Sequence, residues 1–149
     1  MSQIPSLAPS EQAAASRVLE IYKTYLQVTT SASSTGEDRS ADLKALLADP
    51  LRAQVLLDLQ QQSEKDMMYA GQLKSHPTIA TVNLDVTPPA VTIDDCLDRT
   101  NYVLVYRTNS SPVPAASKSP RYRATTTATL YPEQGWLLNK SEIMKDSTC

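Results

Sequence analysis

The hydrophobic period of this chain changes once. Up to about residue 66 apolar side chains recur every three or four positions, and beyond Gly71 they alternate. The first spacing turns one stripe of a helix toward a core, and the second turns one face of a strand toward it. Helical sequence in front of strand sequence predicts an α+β fold, with the helices packed on one face of a curved antiparallel sheet.

Ser10 is the expected N-cap of the first helix, and Ala14, Val18, Ile21, Tyr22, Tyr25 and Leu26 carry its apolar stripe to about Thr29. Residues 30–39 are small and polar without a period, which predicts a loop. A short helix over 41–47 would bury Leu43, Leu46 and Leu47. Asp49-Pro50 stops it and opens a third helix, in which Val55, Leu56 and Leu59 run to about Lys65.

Ala80, Val82, Leu84 and Val86 then form the expected buried side of a strand ended by Pro88-Pro89. Further strands are expected over 90–97, 102–107, 122–131 and 136–144, making a meander of four to five strands. In the strand over 102–107, Tyr102, Leu104 and Tyr106 on one face and Val103 and Val105 on the other predict two occupied faces. The Ser/Pro-rich segment 108–120 reads as a long, mobile hairpin loop, and residues 1–9 as a loose lead-in to one domain over 10–149.

Charge excludes little by itself, although a net −2 offers no general attraction for nucleic acid. Residues 1–98 hold seven Lys/Arg against 13 Asp/Glu, net −6, and residues 99–149 hold seven against three, net +4. An acidic helical layer over a basic sheet accounts for that asymmetry. No run of about 18 apolar residues exists to cross a membrane. Residues 1–7 lack the basic start and apolar stretch of a leader, so the expectation is either a cytoplasmic protein or one whose leader or anchor has been removed.

Two cysteines, Cys96 inside a strand and Cys149 at the last position, read either as a disulfide or as two free thiols. A disulfide would stabilise by about 4 kcal/mol on the chain-entropy argument and would lean toward an oxidising compartment. Two cysteines without CxxC spacing and a single histidine do not make a zinc site. That histidine, His76, precedes Pro77 in a polar turn and reads as a surface residue, which leaves no His-assisted nucleophile. Gly36, Gly71 and Gly135 are isolated, so no phosphate-cradling loop can form, and the Asp spacing does not suit calcium. No cofactor is implied.

Asp94, Asp95 and Asp98 are the densest acidic group. In a strand Asp94 and Asp95 point to opposite faces, so at most one could enter a pocket. Asp98 begins a turn, Asp98-Arg99-Thr100-Asn101, where pairing with Arg99 or Arg123 is the plain outcome.

Three leading helices, a bent antiparallel sheet, Asp95-Cys96 with Asp98, Gly135-Trp136 opening the last strand and the terminal Cys149 resemble the NTF2-like (cystatin-type cone) superfamily. Within it they are similar to small secreted or lipid-anchored actinobacterial proteins. The resemblance spans about residues 10–149. It implies a cone with a pocket at its open end, which Tyr22, Tyr25, Tyr102, Tyr106, Asp94 and Asp95 could line. It also implies an extracellular or cell-envelope location, and homodimerisation through the sheet is common in the superfamily. The first expectation is a non-catalytic binding or assembly module for an unknown protein or small apolar ligand. The alternatives are an isomerase or hydrolase pairing Asp94 or Asp95 with a tyrosine, and a cytoplasmic phage or mobile-element accessory protein with reduced cysteines.

Overall fold

The computed structural model describes residues 7–114, 120–144 and 149. Residues 1–6 of the expected loose lead-in and 115–119 of the expected mobile loop lie outside the described residues. Three helices come first: α1 (Pro9–Thr35), α2 (Ser40–Leu46) and α3 (Leu51–Glu64). Six strands follow: β1 (Met67–Gly71), β2 (Thr78–Asn83), β3 (Ala90–Asp98), β4 (Tyr102–Tyr106), β5 (Arg121–Tyr131) and β6 (Gly135–Met144). All the strand pairings are antiparallel, and the class is α+β, as the change of period requires.

Helix α1 starts with Pro9 at its first position and Ala8 as N-cap, whose N–H donates to the Glu11 carboxylate at 2.9 Å. Ser10 therefore lies inside the first turn instead of capping it. The helix also runs past Thr29 through residues expected to be loop. Ala32 and Ser33 are buried there, and the hydroxyls of Thr30, Ser34 and Thr35 donate to carbonyls of Gln27 and Ser31 in the preceding turn. Burial and internal hydroxyl bonds outweigh the weak helix propensity of Ser and Thr.

Gly36 ends α1 at φ 76°, its N–H bonded to the Ala32 carbonyl at 3.0 Å. No basic residue occupies the last turn of α1. Arg107, just beyond β4, supplies the charge, donating to the Ser33 carbonyl at 2.9 Å and the Ser34 carbonyl at 3.2 Å. The N-cap of α3 is Pro50, not Asp49, so the proline precedes the first helical position, and Asp49 accepts the Ala53 N–H at 3.2 Å from one residue earlier.

The strands form two sheets in place of one meander. The main sheet has the order β2-β3-β5-β6, while β1 and β4 make a separate two-stranded ribbon. Residues 67–71 carry no alternation, and they become a strand because β4 offers a partner, Met67 facing Tyr106 and Gly71 facing Tyr102. β4 and β5 are not paired with each other, since β4 joins β1 and β5 lies between β3 and β6, and the chain just after β4 folds back on it, Val105 bridging Pro112. A two-stranded ribbon cannot be covered fully on both sides by so small a core. Both faces of β4 are covered in part: Val105 is buried on one and Tyr102 and Leu104 are half-buried on the other, while Val103 at 43% and Tyr106 at 37% stay exposed.

Two bulges bend the main sheet. Ala80 is an extra residue in β2 and Asn139 an extra residue in β6, judged by their partners in β3 and β5. The first bulge returns Ile79 and Val82 to the same side and ends the expected alternation early. Val86 lies beyond the strand and is 44% exposed.

The buried side of α1, including Val18, Leu19, Ile21 and Tyr22, packs on Ile79, Val91, Ile93, Ala128 and Leu138 of the sheet. Leu43 and Leu47 from the second helical segment are fully buried in the same core. The Ala48 N–H bonds to the Leu138 carbonyl at 2.8 Å, so the linker after α2 covers part of the β6 edge.

Cys96 lies on the outer face of β3 and is bonded to Cys149, with Cα atoms 5.8 Å apart. The last residue is thereby fastened to β3 of the main sheet.

Candidate functional site

Two features lie between the helices and the sheet: a buried polar cluster and, beside it, a tyrosine-walled cavity. The cluster centres on Asp95, which the pleat of β3 turns inward with Val91, Ile93 and Leu97. Asp95 is 3% exposed and the sole charged side chain buried among the described residues. Its Oδ2 accepts the Tyr22 hydroxyl at 2.5 Å and the Ser75 hydroxyl at 2.6 Å, and its Oδ1 accepts the His76 N–H at 2.7 Å. Three donors satisfy a carboxylate that burial alone would make costly. Burial first, and then the neighbouring Asp95 charge, pushes the Tyr22 hydroxyl far above the ordinary tyrosine range. It therefore stays protonated and keeps donating.

The cavity has a volume of about 200 Å³. Helix α1 contributes Tyr25, Leu26, Thr29, Thr30 and Ser33, and α3 contributes Val55, Asp58, Leu59 and Gln62. Tyr69, Leu73, Leu97, Arg99, Tyr102, Tyr122 and Ile143 complete the wall. The rings of Tyr69 and Tyr102 stack at 4.6 Å and 10°. The Arg99 guanidinium lies 4.9 Å from the centroid of Tyr69 and 5.6 Å from that of Tyr122. Asp58 is exposed at the rim and accepts a hydrogen bond from Gln62 at 3.2 Å. Deeper in, Gln62 and Ser33 pair at 2.5 Å, and the Ser33 hydroxyl also accepts the Tyr69 N–H.

Of the residues expected to line a pocket, Tyr25 and Tyr102 do so. Tyr22 and Asp95 close on each other in the neighbouring cluster. Asp94 points to the outer face of the sheet, where it accepts the Thr125 hydroxyl at 3.0 Å, and Tyr106 is exposed on the ribbon. The opposite orientations of Asp94 and Asp95 follow from the pleat. Asp98 is bonded by the Thr100 hydroxyl and N–H, which hold its pKa below the ordinary carboxylate value, and it pairs with Arg121 rather than with Arg99 or Arg123. His76 has an exposed side chain, and its backbone N–H is what the cluster uses. Among the described residues no three His, Cys, Asp or Glu side chains gather to hold a metal.

Sequence reasoning missed Tyr69, Asp58 and the cavity role of Arg99. Tyr69 sits in the strand that has no period, and Arg99 gave no signal beyond a turn.

The tyrosines supply a pH prediction. Burial first, and then the Asp58 charge, pushes Tyr25 up to about 12, and burial chiefly raises Tyr102 as well. A folded-state pKa above the ordinary value of about 10 means that the stabilisation is complete below pH 10 and is lost as pH climbs toward 12. Phenolate absorbance should show a late step that Tyr25→Phe diminishes and that coincides with unfolding. Complete tyrosine ionisation near pH 10 in folded protein would contradict it.

No family model and no curated protein matches the chain. Among solved structures it is similar to the crystal structure of the intermembrane space region of the chloroplast protein ARC6, with a TM-score of 0.64 and 11% identity. The match covers 88% of this chain and 96% of that one. At that identity the likeness is one of fold alone.

Proposed function

We propose that this protein is a non-catalytic binding module of the NTF2-like kind that works outside the cytoplasm and takes a small apolar ligand between α1, α3 and the sheet. The observation that carries this reading is the separation of the buried carboxylate, Asp95, from the cavity, whose one wall carboxylate, Asp58, stands exposed at the rim and accepts the Gln62 amide. An isomerase or hydrolase of this architecture needs a carboxylate free to face its substrate, with a tyrosine donor beside it. Asp95 instead spends both oxygens on Tyr22, Ser75 and the His76 N–H, and none of these four residues belongs to the wall of the tyrosine cavity. Leucine, valine, isoleucine and tyrosine make up most of the cavity wall, and Thr29, Thr30, Ser33, Asp58, Gln62 and Arg99 are its polar members, a mixture usual for small-molecule sites. The Cys96–Cys149 bond supports an oxidising compartment, in keeping with a secreted or lipid-anchored protein.

The test uses benzyl alcohol as a neutral one-ring probe, followed by NMR on the labelled full chain. Saturable shifts are expected at Leu59, Leu73 and Leu97. Asp95→Asn should lose about 2 kcal/mol of stability, through weakened charge-assisted bonds, and leave the probe's affinity unchanged. Shifts that never saturate, or that gather around Asp95 and vanish in Asp95→Asn protein that is still folded, would overturn the reading. The compartment is checked separately. Native protein with its thiols blocked at lysis should carry no alkylated cysteine, and two alkylated cysteines would place it in a reducing compartment.

A further inference from the structure

We infer that the cavity selects a small apolar monocarboxylate, a single ring or short acyl chain with one carboxylate, by binding that carboxylate on Arg99. This rests on the binding reading above and adds the ligand's charge. Arg99 is half-buried at the turn after β3, with its N–H on the Pro120 carbonyl at 2.6 Å and its carbonyl accepting the Tyr102 N–H at 3.1 Å. The backbone is therefore held, and the guanidinium is held too, against the Tyr69 and Tyr122 rings. Among the described residues no carboxylate lies within ion-pair distance of this guanidinium and no side chain or carbonyl hydrogen-bonds it.

Arg39 and Arg107, which line a different cavity, behave differently, and Arg39 pairs with Asp42 at 2.7 Å. Arg107 donates to two carbonyls at the end of α1, a structural task that leaves little of it free. Arg99 contacts ring faces, which attract its charge without accepting its five N–H groups along their edges. A planar guanidinium so placed suits the two oxygens of a carboxylate.

Size and wall chemistry supply the rest of the class. An apolar cavity of about 150 Å³ accommodates benzene, and this one is about 200 Å³. It therefore has room for one ring, or a short acyl chain, plus a carboxylate. The stacked Tyr69 and Tyr102 rings belong to the same wall as the guanidinium. Asp58 stands at the exposed rim, where water screens it, and its negative charge disfavours a second acidic group.

The experiment compares phenylacetate, benzyl alcohol and phenylalanine by NMR titration of the labelled full chain. Phenylacetate is expected to bind about tenfold more tightly than benzyl alcohol, the difference one charge-assisted pair supplies. Arg99→Gln should reduce that ratio to near one, Arg99→Lys should restore part of it, and Asp58→Asn should increase it. Should the Arg99 variants not fold, added salt must weaken phenylacetate and spare the alcohol in the unaltered chain. Equal binding of acid and alcohol would overturn this inference and leave the binding module standing, whereas no binding by any probe would overturn both. Phenylalanine binding more tightly than phenylacetate would show a zwitterion site using Asp58 as well, and would also overturn it.

Discussion

Reduction of the Cys96–Cys149 bond is expected to lower the unfolding free energy by about 4 kcal/mol. The two residues are 53 apart in sequence, and closing a loop of that length removes about that much entropy from the unfolded chain. For a domain of this size the shift corresponds to roughly 8–16 °C in Tm. Cys149 lies beyond the end of β6 and is fastened to β3, which is not adjacent to β6 in the sheet. Denaturant midpoints measured with and without reductant test the expectation, and Cys149→Ser should match the reduced protein and ignore the reductant. An unaltered midpoint in reductant, with free thiols verified, would show that the bond adds nothing to stability.

A second large effect is expected at Gly71. This residue ends β1 with φ 99°, a conformation L side chains rarely adopt. A Cβ placed there would stand 1.8 Å from the Asn101 carbonyl oxygen, an atom of the backbone that cannot rotate aside. That same carbonyl accepts the Gln72 N–H at 2.8 Å, so moving it breaks the bond holding the start of β4 against the end of β1. Gly71→Ala should therefore cost about 4 kcal/mol or more, the range reserved for changes that force backbone movement. The ribbon carries Tyr69 and Tyr102, so probe binding in the cavity should fall with it. Gly135→Ala is the control, because its Cβ meets nothing within 4 Å and only the positive φ of 82° opposes it. A loss of about 1 kcal/mol is expected there. Equal losses at the two glycines would mean that the carbonyl approach is not what makes Gly71 necessary.

Legibility of the fold followed the strength of local signals. The stripe of Val18, Ile21 and Tyr22 marks a buried face whatever lies opposite. The Ser/Thr-rich end of α1 defied its composition because Ala32 and Ser33 are covered by other elements, a fact external to the segment. Residues 67–71 became a strand for a similar reason, since extended backbone is satisfied only by a partner and β4 is that partner. Ala80 slipped the register of β2, which is why the expected sequence of Ala80, Val82, Leu84 and Val86 did not stay on one face.

In the site, the pleat already said that Asp94 and Asp95 part company, and Tyr25 and Tyr102 were in view as wall residues. Tyr69 and Arg99 were not. Tyr69 enters through an unforeseen pairing, and a turn arginine is ordinarily solvated, so its stacking depends on rings brought from β1 and β5.

By itself, then, the order of residues settled that helical stretches precede extended ones, which side of most of them is apolar, and that two sulfurs stood where a bond could join them. Those properties depend on neighbours within about four positions, where backbone geometry dictates direction. Tertiary structure alone decided that β4 joins β1 and leaves the main sheet, that Asp95 is satisfied from three sides, and that Arg99 faces a cavity without a carboxylate partner among the described residues. Several strands could pair equally well by local pattern, and only the closing of the whole core selects among them.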